Sequence, residues 1–176
     1  MGLTNTTRGW QIEGTAPIDG SGALIWKESQ LPRLSEYNVL VKFHAWSLNY
    51  PEIAIATGTY PWRPEIPASV PGSDAAGEVV AVGSGVKDFQ TGDGVFPVYY
   101  PNYDFGPATT SENGHGVPGL DAPGTFREYA IFDQRALMPT PKNLSYEETA
   151  SLPCSALTAW NALYGYTPIK PGSWVL

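Results

Sequence analysis

Cysteine, histidine and basic residues are all scarce. A single cysteine, Cys154, excludes an intrachain disulfide framework, and with only two histidines beside it there is little material for a metal site. Ten Lys plus Arg stand against seventeen Asp plus Glu, a net charge of −7, so neither nucleic acid nor an anionic membrane finds an electrostatic footprint. No apolar run approaches the roughly 18 residues of a membrane span, and the N-terminus lacks the charged-then-apolar layout of a signal peptide. The expectation is a soluble, cytoplasmic protein that binds neither nucleic acid nor membrane and acts on a small-molecule substrate.

What is abundant is turn chemistry. Nineteen Gly and seventeen Pro are spread along 176 residues, which favours many short segments over a helical bundle. The pattern predicts a mainly β chain with short helices. Residues 10–14 and 23–28 read as short strands. In the strand over 36–46, Val39, Val41, Phe43 and Ala45 share one face, with Lys42 and His44 on the other. Residues 51–57 have Pro early, a carboxylate in the first turn and Gly58 just beyond, the pattern of a short helix. Strands follow over 76–83 and 95–98, with a tight turn at Gly92-Asp93-Gly94. Gly83-Ser84-Gly85 has no helix pattern after it and reads as a β-turn, not a phosphate loop. Residues 99–124 carry no periodicity, the mark of a functional or unstructured loop. Residues 125–132 predict another strand, with 136–139 extended after it. Ser145 and Glu148 make a capping box that opens a helix over 146–151. A second helix is predicted over 154–164, and Ser173 to Leu176 reads as the start of a buried strand, at which the sequence stops.

Several ordered motifs then carry a resemblance. Ser47-Leu-Asn49-Tyr50-Pro-Glu-Ile53 is followed by Gly58-Thr-Tyr60-Pro61 and by Pro71-Gly72-Ser-Asp74-Ala-Ala-Gly77-Glu-Val-Val80. Gly92-Asp93-Gly-Val95, Gly124-Thr-Phe-Arg-Glu128-Tyr129 and Leu152-Pro-Cys154-Ser-Ala-Leu157-Thr158-Ala159-Trp160 complete the series. In this order they resemble the medium-chain dehydrogenase/reductase superfamily over nearly the whole chain. The resemblance implies a GroES-like, partly open β-barrel over residues 1–150. Residues 151–176 would be the linking helix and the first strand of an NAD(P)-binding Rossmann domain, before whose Gly-rich turn the chain appears cut.

The superfamily divides by zinc. Its zinc enzymes place a Cys, a His-Glu pair and a further Cys where this chain has Asn49, Ser73-Asp74 and Cys154. An amide and a hydroxyl are poor zinc ligands, so no metal site is expected. Asn49 followed by Tyr50 resembles the quinone oxidoreductase and enoyl reductase branch, which implies NADPH-dependent, metal-free hydride transfer to an activated alkene or a quinone. By that resemblance Tyr60 donates the proton, Asn49 positions substrate and cofactor, Thr158 lies against the nicotinamide, and Cys154 is a remnant of the metal site. Each residue also has a plainer role open to it: Asn49 as a helix cap, Tyr60 as a packed aromatic, Thr158 bonded to its own helix, Cys154 as a small buried hydrophobe. Tyr99, Tyr100, Tyr103 and Phe105 could line an apolar pocket or only pack the loop.

Two alternatives stay beside this reading. One is a non-catalytic GroES-like module that binds a partner or forms a homo-oligomer; the other is a zinc-type alcohol dehydrogenase. NADPH is expected to bind a full-length form and not this chain tightly.

Overall fold

The computed structural model describes residues 4–13, 24–61, 70–103, 116–165 and 167–175. Hydrophobic alternation builds its centre. Strand β3 (Asn38–Ser47) presents Val39, Val41, Phe43 and Ala45 to the interior, the face the alternation predicts. It pairs antiparallel with β4 (Asp74–Val82) on one side and with β6 (Tyr129–Asp133) on the other. Strand β5 (Gly94–Pro97) continues from β4, and β7 (Leu137–Pro139) closes the order β6-β3-β4-β5-β7. The core is small and β-branched: Val39, Val41, Val79 and Val95 are fully buried with Ala130, and Phe43 and Leu137 complete the cluster. Such residues fit a pleated surface with restricted rotamers.

Two register shifts in β3, at Leu40/Val41 and Phe43/Ala45, bend it, as extra residues in one strand of a pair do. They also bury Leu40, which alternation alone would expose. The sheet curls into the half-barrel of the expected GroES-like class. Strands β1 (Thr6–Ile12) and β2 (Leu24–Gln30) form a separate two-stranded ribbon. It is tied to the β6 side through Trp10 N–H to Phe126 O at 2.8 Å and Glu128 N–H to Arg8 O at 2.8 Å.

Helix α1 (Tyr50–Ala56) follows β3 directly, and α2 (Tyr146–Thr149) opens on the Ser145–Glu148 capping box. The second predicted helix begins differently. Pro153 enters a π-helical turn, Leu152–Ala156, before α3 (Leu157–Tyr164) takes over.

Other departures have local causes. The strand predicted over 125–132 is shorter because Gly124, Thr125 and Phe126 give their N–H groups to Val70, Gly72 and Pro71 instead of to a ladder. Residues 116–124 are not patternless: Val117 and Leu120 are buried, and Gly119, at φ 81°, packs on the Gly72 backbone. The buried strand expected from Ser173 does not form over 173–175. Trp174 is 95% exposed, and no strand among the described residues pairs with it. Leu176, Phe105 and His115 lie outside the described residues. The turn at Gly83 is a β-turn, closed by Val86 N–H to Gly83 O at 3.1 Å.

One close approach fixes the β3–β4 spacing. A Cβ on Gly77 would lie 2.1 Å from Lys42 O and 2.7 Å from Phe43 Cα, both backbone atoms. Gly77→Ala is therefore expected to lower unfolding stability by at least about 2 kcal/mol, since neither strand can yield without disturbing the core. Urea denaturation measures it, and an unchanged midpoint would show that the strands separate freely.

Candidate functional site

The junction of β3 and α1 gathers the polar residues. Asn49 is the N-cap of α1, in extended conformation, and Pro51 lies in the first turn, where a missing N–H costs nothing. Glu52, three residues after the cap, turns back so that Oε2 accepts the Asn49 N–H at 2.7 Å. Its other oxygen leaves the helix: Oε1 accepts the Ser73 N–H at 3.2 Å. A single buried carboxyl thus fastens α1 to the turn ahead of β4.

Asp74, fully buried at the start of β4, stands next in the network. Ser73 Oγ donates to Asp74 Oδ1 at 2.7 Å, and the Cys154 N–H donates to Oδ2 at 3.2 Å. The π-helical turn presents that N–H to the sheet. Ser73 Oγ also stands 3.4 Å from Glu52 Oε1, so one hydroxyl bridges both carboxyls. Asn49 is held from two sides: its Nδ2 donates to Ser73 Oγ at 3.4 Å, and Ser155 Oγ donates to its Oδ1 at 3.2 Å.

The electrostatics follow from burial without a cation. Glu52 and Asp74 both titrate above their ordinary values, chiefly because burial penalises the charged form. Hydrogen bonds oppose the shift in both, and the Asp74 charge adds to it at Glu52. The Cys154 thiol is pushed up by burial and then by the two carboxylates, while a hydrogen bond with Thr158 opposes this. Tyr99 is raised strongly by burial, with Cys154, Tyr100, Tyr60 and Glu52 near enough to add to the effect.

The structure brings Asn49, Cys154 and Thr158 into one network, and no hydrogen bond among the described residues joins Tyr60 to it. Tyr60 follows α1, its backbone N–H bonded to Ala54 O at 3.0 Å. Thr158 is exposed at the start of α3. Asn49 does begin the helix, as its N-cap. His44 lies apart, on the solvent side of β3, stacked on Tyr146 and 3.6 Å from Glu78. Sequence reasoning passed over Glu52 and Ser155 as members of the site. Glu52 carried a readable signal, the Asn-x-x-Glu spacing of a capping box; Ser155 had none, because its reach to Asn49 spans 106 positions.

This donor set does not suit zinc. All four oxygens of Glu52 and Asp74 already accept protein N–H or O–H groups. The other groups are an amide, a hydroxyl and a single thiol, a set poor in the thiolate and imidazole ligands that zinc prefers. Among the described residues, no group of three or more His, Cys, Asp and Glu is arranged to hold a metal. Among the described residues, no helix opens on a Gly-rich turn of the kind that grips a cofactor pyrophosphate.

The family model of the alcohol dehydrogenase GroES-like domain matches residues 35–142. A zinc-type alcohol dehydrogenase-like protein of Schizosaccharomyces pombe is 43% identical over 162 residues, covering 90% of this chain and 46% of the relative. The quinone oxidoreductase of Rattus norvegicus is 32% identical over 146 residues, covering 83% and 38%. The crystal structure of an NAD-dependent alcohol dehydrogenase superposes with a TM-score of 0.73 at 28% identity, covering 94% of this chain and 48% of that one. The chain spans about half the length of these relatives.

Two measurements test the network. Glu52→Ala strips the acceptor from two backbone N–H groups and is expected to cost about 2–4 kcal/mol in urea unfolding; a loss under 1 kcal/mol would make the capping contact incidental. The second is pH. Because folded Glu52 and Asp74 titrate above 4.5 and 3.8, the folded chain holds protons that the unfolded chain has released. Their stabilisation is fully present below the ordinary carboxylate range and is lost as pH rises through the raised values. The stability difference between the wild type and Glu52→Gln/Asp74→Asn should therefore shrink from about pH 4 to pH 7. A difference that does not vary with pH would refute the shifts.

Proposed function

Because the chain belongs to the alcohol dehydrogenase GroES-like domain family, within the medium-chain dehydrogenase/reductase superfamily, we propose that it forms the catalytic portion of a zinc-independent, NADPH-dependent oxidoreductase that reduces enones or quinones. The observation that carries this reading is the network in which Asn49, Ser73 and Ser155 donate and Glu52 and Asp74 accept, with an amide and a hydroxyl where the zinc enzymes have a Cys and a His. The name of the rat relative supports quinones as the acceptor class.

NADPH, when bound in the full-length form, supplies the hydride. The residues of this chain then have to hold the substrate and manage one proton. Asn49, whose amide is hydrogen-bonded to Ser73, Ser155 and the Asp74 carboxyl, is held in one orientation and positions the substrate. Tyr60 provides the proton. Tyr99, kept neutral by burial, is a further hydroxyl donor rather than a base. Thr158 borders the nicotinamide. The partner is a small molecule, the location is the cytoplasm, and a homo-oligomer is the assembly to test for.

A second reading, a zinc-type alcohol dehydrogenase, is favoured by the name of the 43% identical Schizosaccharomyces pombe relative. One experiment separates the two. The intact mass of the native protein identifies the form to assay, and NADPH oxidation is then followed with enones and quinones, with and without a chelator. Activity that the chelator leaves unchanged is the expected result; loss on chelation with recovery on adding zinc would overturn it. In that form Tyr60→Phe should lower kcat by about 100-fold with little change in KM, and an unchanged kcat would remove Tyr60 from the mechanism. The 176-residue chain alone should show no tight, stoichiometric NADPH binding by calorimetry.

A further inference from the structure

A groove of about 430 Å³ lies where the β1–β2 ribbon crosses the β3–β6 side of the sheet. Its volume falls within the range of small-molecule sites, and none of the Asn49 network lines it. Four charged side chains face it: Arg8, Glu28, Lys42 and Glu128. Two of them satisfy each other, Arg8 Nε lying 3.7 Å from Glu128 Oε2. Lys42 and Glu28 do not. Among the described residues the Lys42 ammonium and the Glu28 carboxylate form no ion pair or side-chain hydrogen bond, with each other or with anything else. The cross-strand neighbour of Lys42, Glu78, lies instead beside His44, at 3.6 Å.

Opposite charges that face one groove without meeting form an electrostatic frame. A ligand with a single charge satisfies one and leaves the other unmatched; a ligand carrying both satisfies the pair. The groove is also lined by aromatic rings. Trp46 is 44% exposed, yet its indole N–H donates to Thr125 O at 2.7 Å, which fixes the ring, and Phe43 meets it edge-to-face at 6.4 Å. Tyr129 adds a further ring to the lining. A rigid aromatic surface beside a cation and an anion suits an aromatic side chain attached to a zwitterionic backbone.

We propose that this groove is a binding site for a small zwitterion, an α-amino acid with an aromatic side chain, separate from the proposed reductase site and independent of that reading. The probes are L-phenylalanine, 3-phenylpropionate, which keeps only the anion, and 2-phenylethylamine, which keeps only the cation. Binding to the chain is followed by calorimetry and amide chemical shifts. L-phenylalanine should bind with a Kd of about 1 mM, and each one-charge analogue about fivefold more weakly, the scale of an exposed ion pair. Lys42→Met should erase the preference over 2-phenylethylamine, and Glu28→Gln the preference over 3-phenylpropionate. Both side chains are exposed, and circular dichroism confirms that the variants fold. Three results would overturn the proposal: no saturable shifts, equal affinity for L-phenylalanine and either analogue, or shifts confined to α1 and the π-helical turn.

Discussion

Two buried carboxyls, with no cationic side chain beside them among the described residues, govern how this end of the molecule is built. A carboxylate removed from water has to find donors, and here they come almost wholly from the backbone and from hydroxyls. Glu52 takes N–H groups from Asn49 and Ser73, and Asp74 takes the N–H of Cys154 and the hydroxyl of Ser73. These bonds join α1, the turn before β4 and the π-helical turn, three segments far apart in sequence. The positions of Asn49, Cys154 and Thr158 follow from that joining.

The same constraint bears on the chemistry. A metal site needs ligands whose lone pairs are uncommitted until the ion arrives, and it stabilises their charged forms. Here each carboxyl oxygen already accepts a protein donor, and burial raises the titration of both carboxyls and of the Cys154 thiol. Hydrogen bonds of this kind are stronger where water is excluded. Asn49 illustrates the point, since bonds to Ser73 and Ser155 hold its amide at both ends.

The fold was largely legible because it rests on local signals. Alternation in β3 identified the buried face, the Ser145–Glu148 box opened α2, and glycines marked the turns. Legibility failed where backbone hydrogen bonds run to distant partners. Residues 124–126 look like strand but bond to the Val70–Gly72 segment, and Pro153 diverts the start of the predicted helix into a π turn. The site divides in the same way. Asn49, Cys154 and Thr158 stood in motifs, whereas the bridging of Glu52 and Asp74 by Ser73 requires β4 to start beside α1, a placement set by the β3–β4 register.

That register is itself set by small residues. Gly77 allows β4 to lie against the Lys42 carbonyl, and Ala75 and Ala76 keep the start of the strand thin where it pairs with Ala45 and Trp46. A bulkier β4 would move Asp74 away from the Cys154 N–H, 80 positions along the chain, and the buried carboxyl would lose a donor with no water to replace it. Tight packing of the sheet and satisfaction of the site are thus one requirement. The β3–β4 spacing that the core valines reward is also the spacing at which the two carboxyls find their donors.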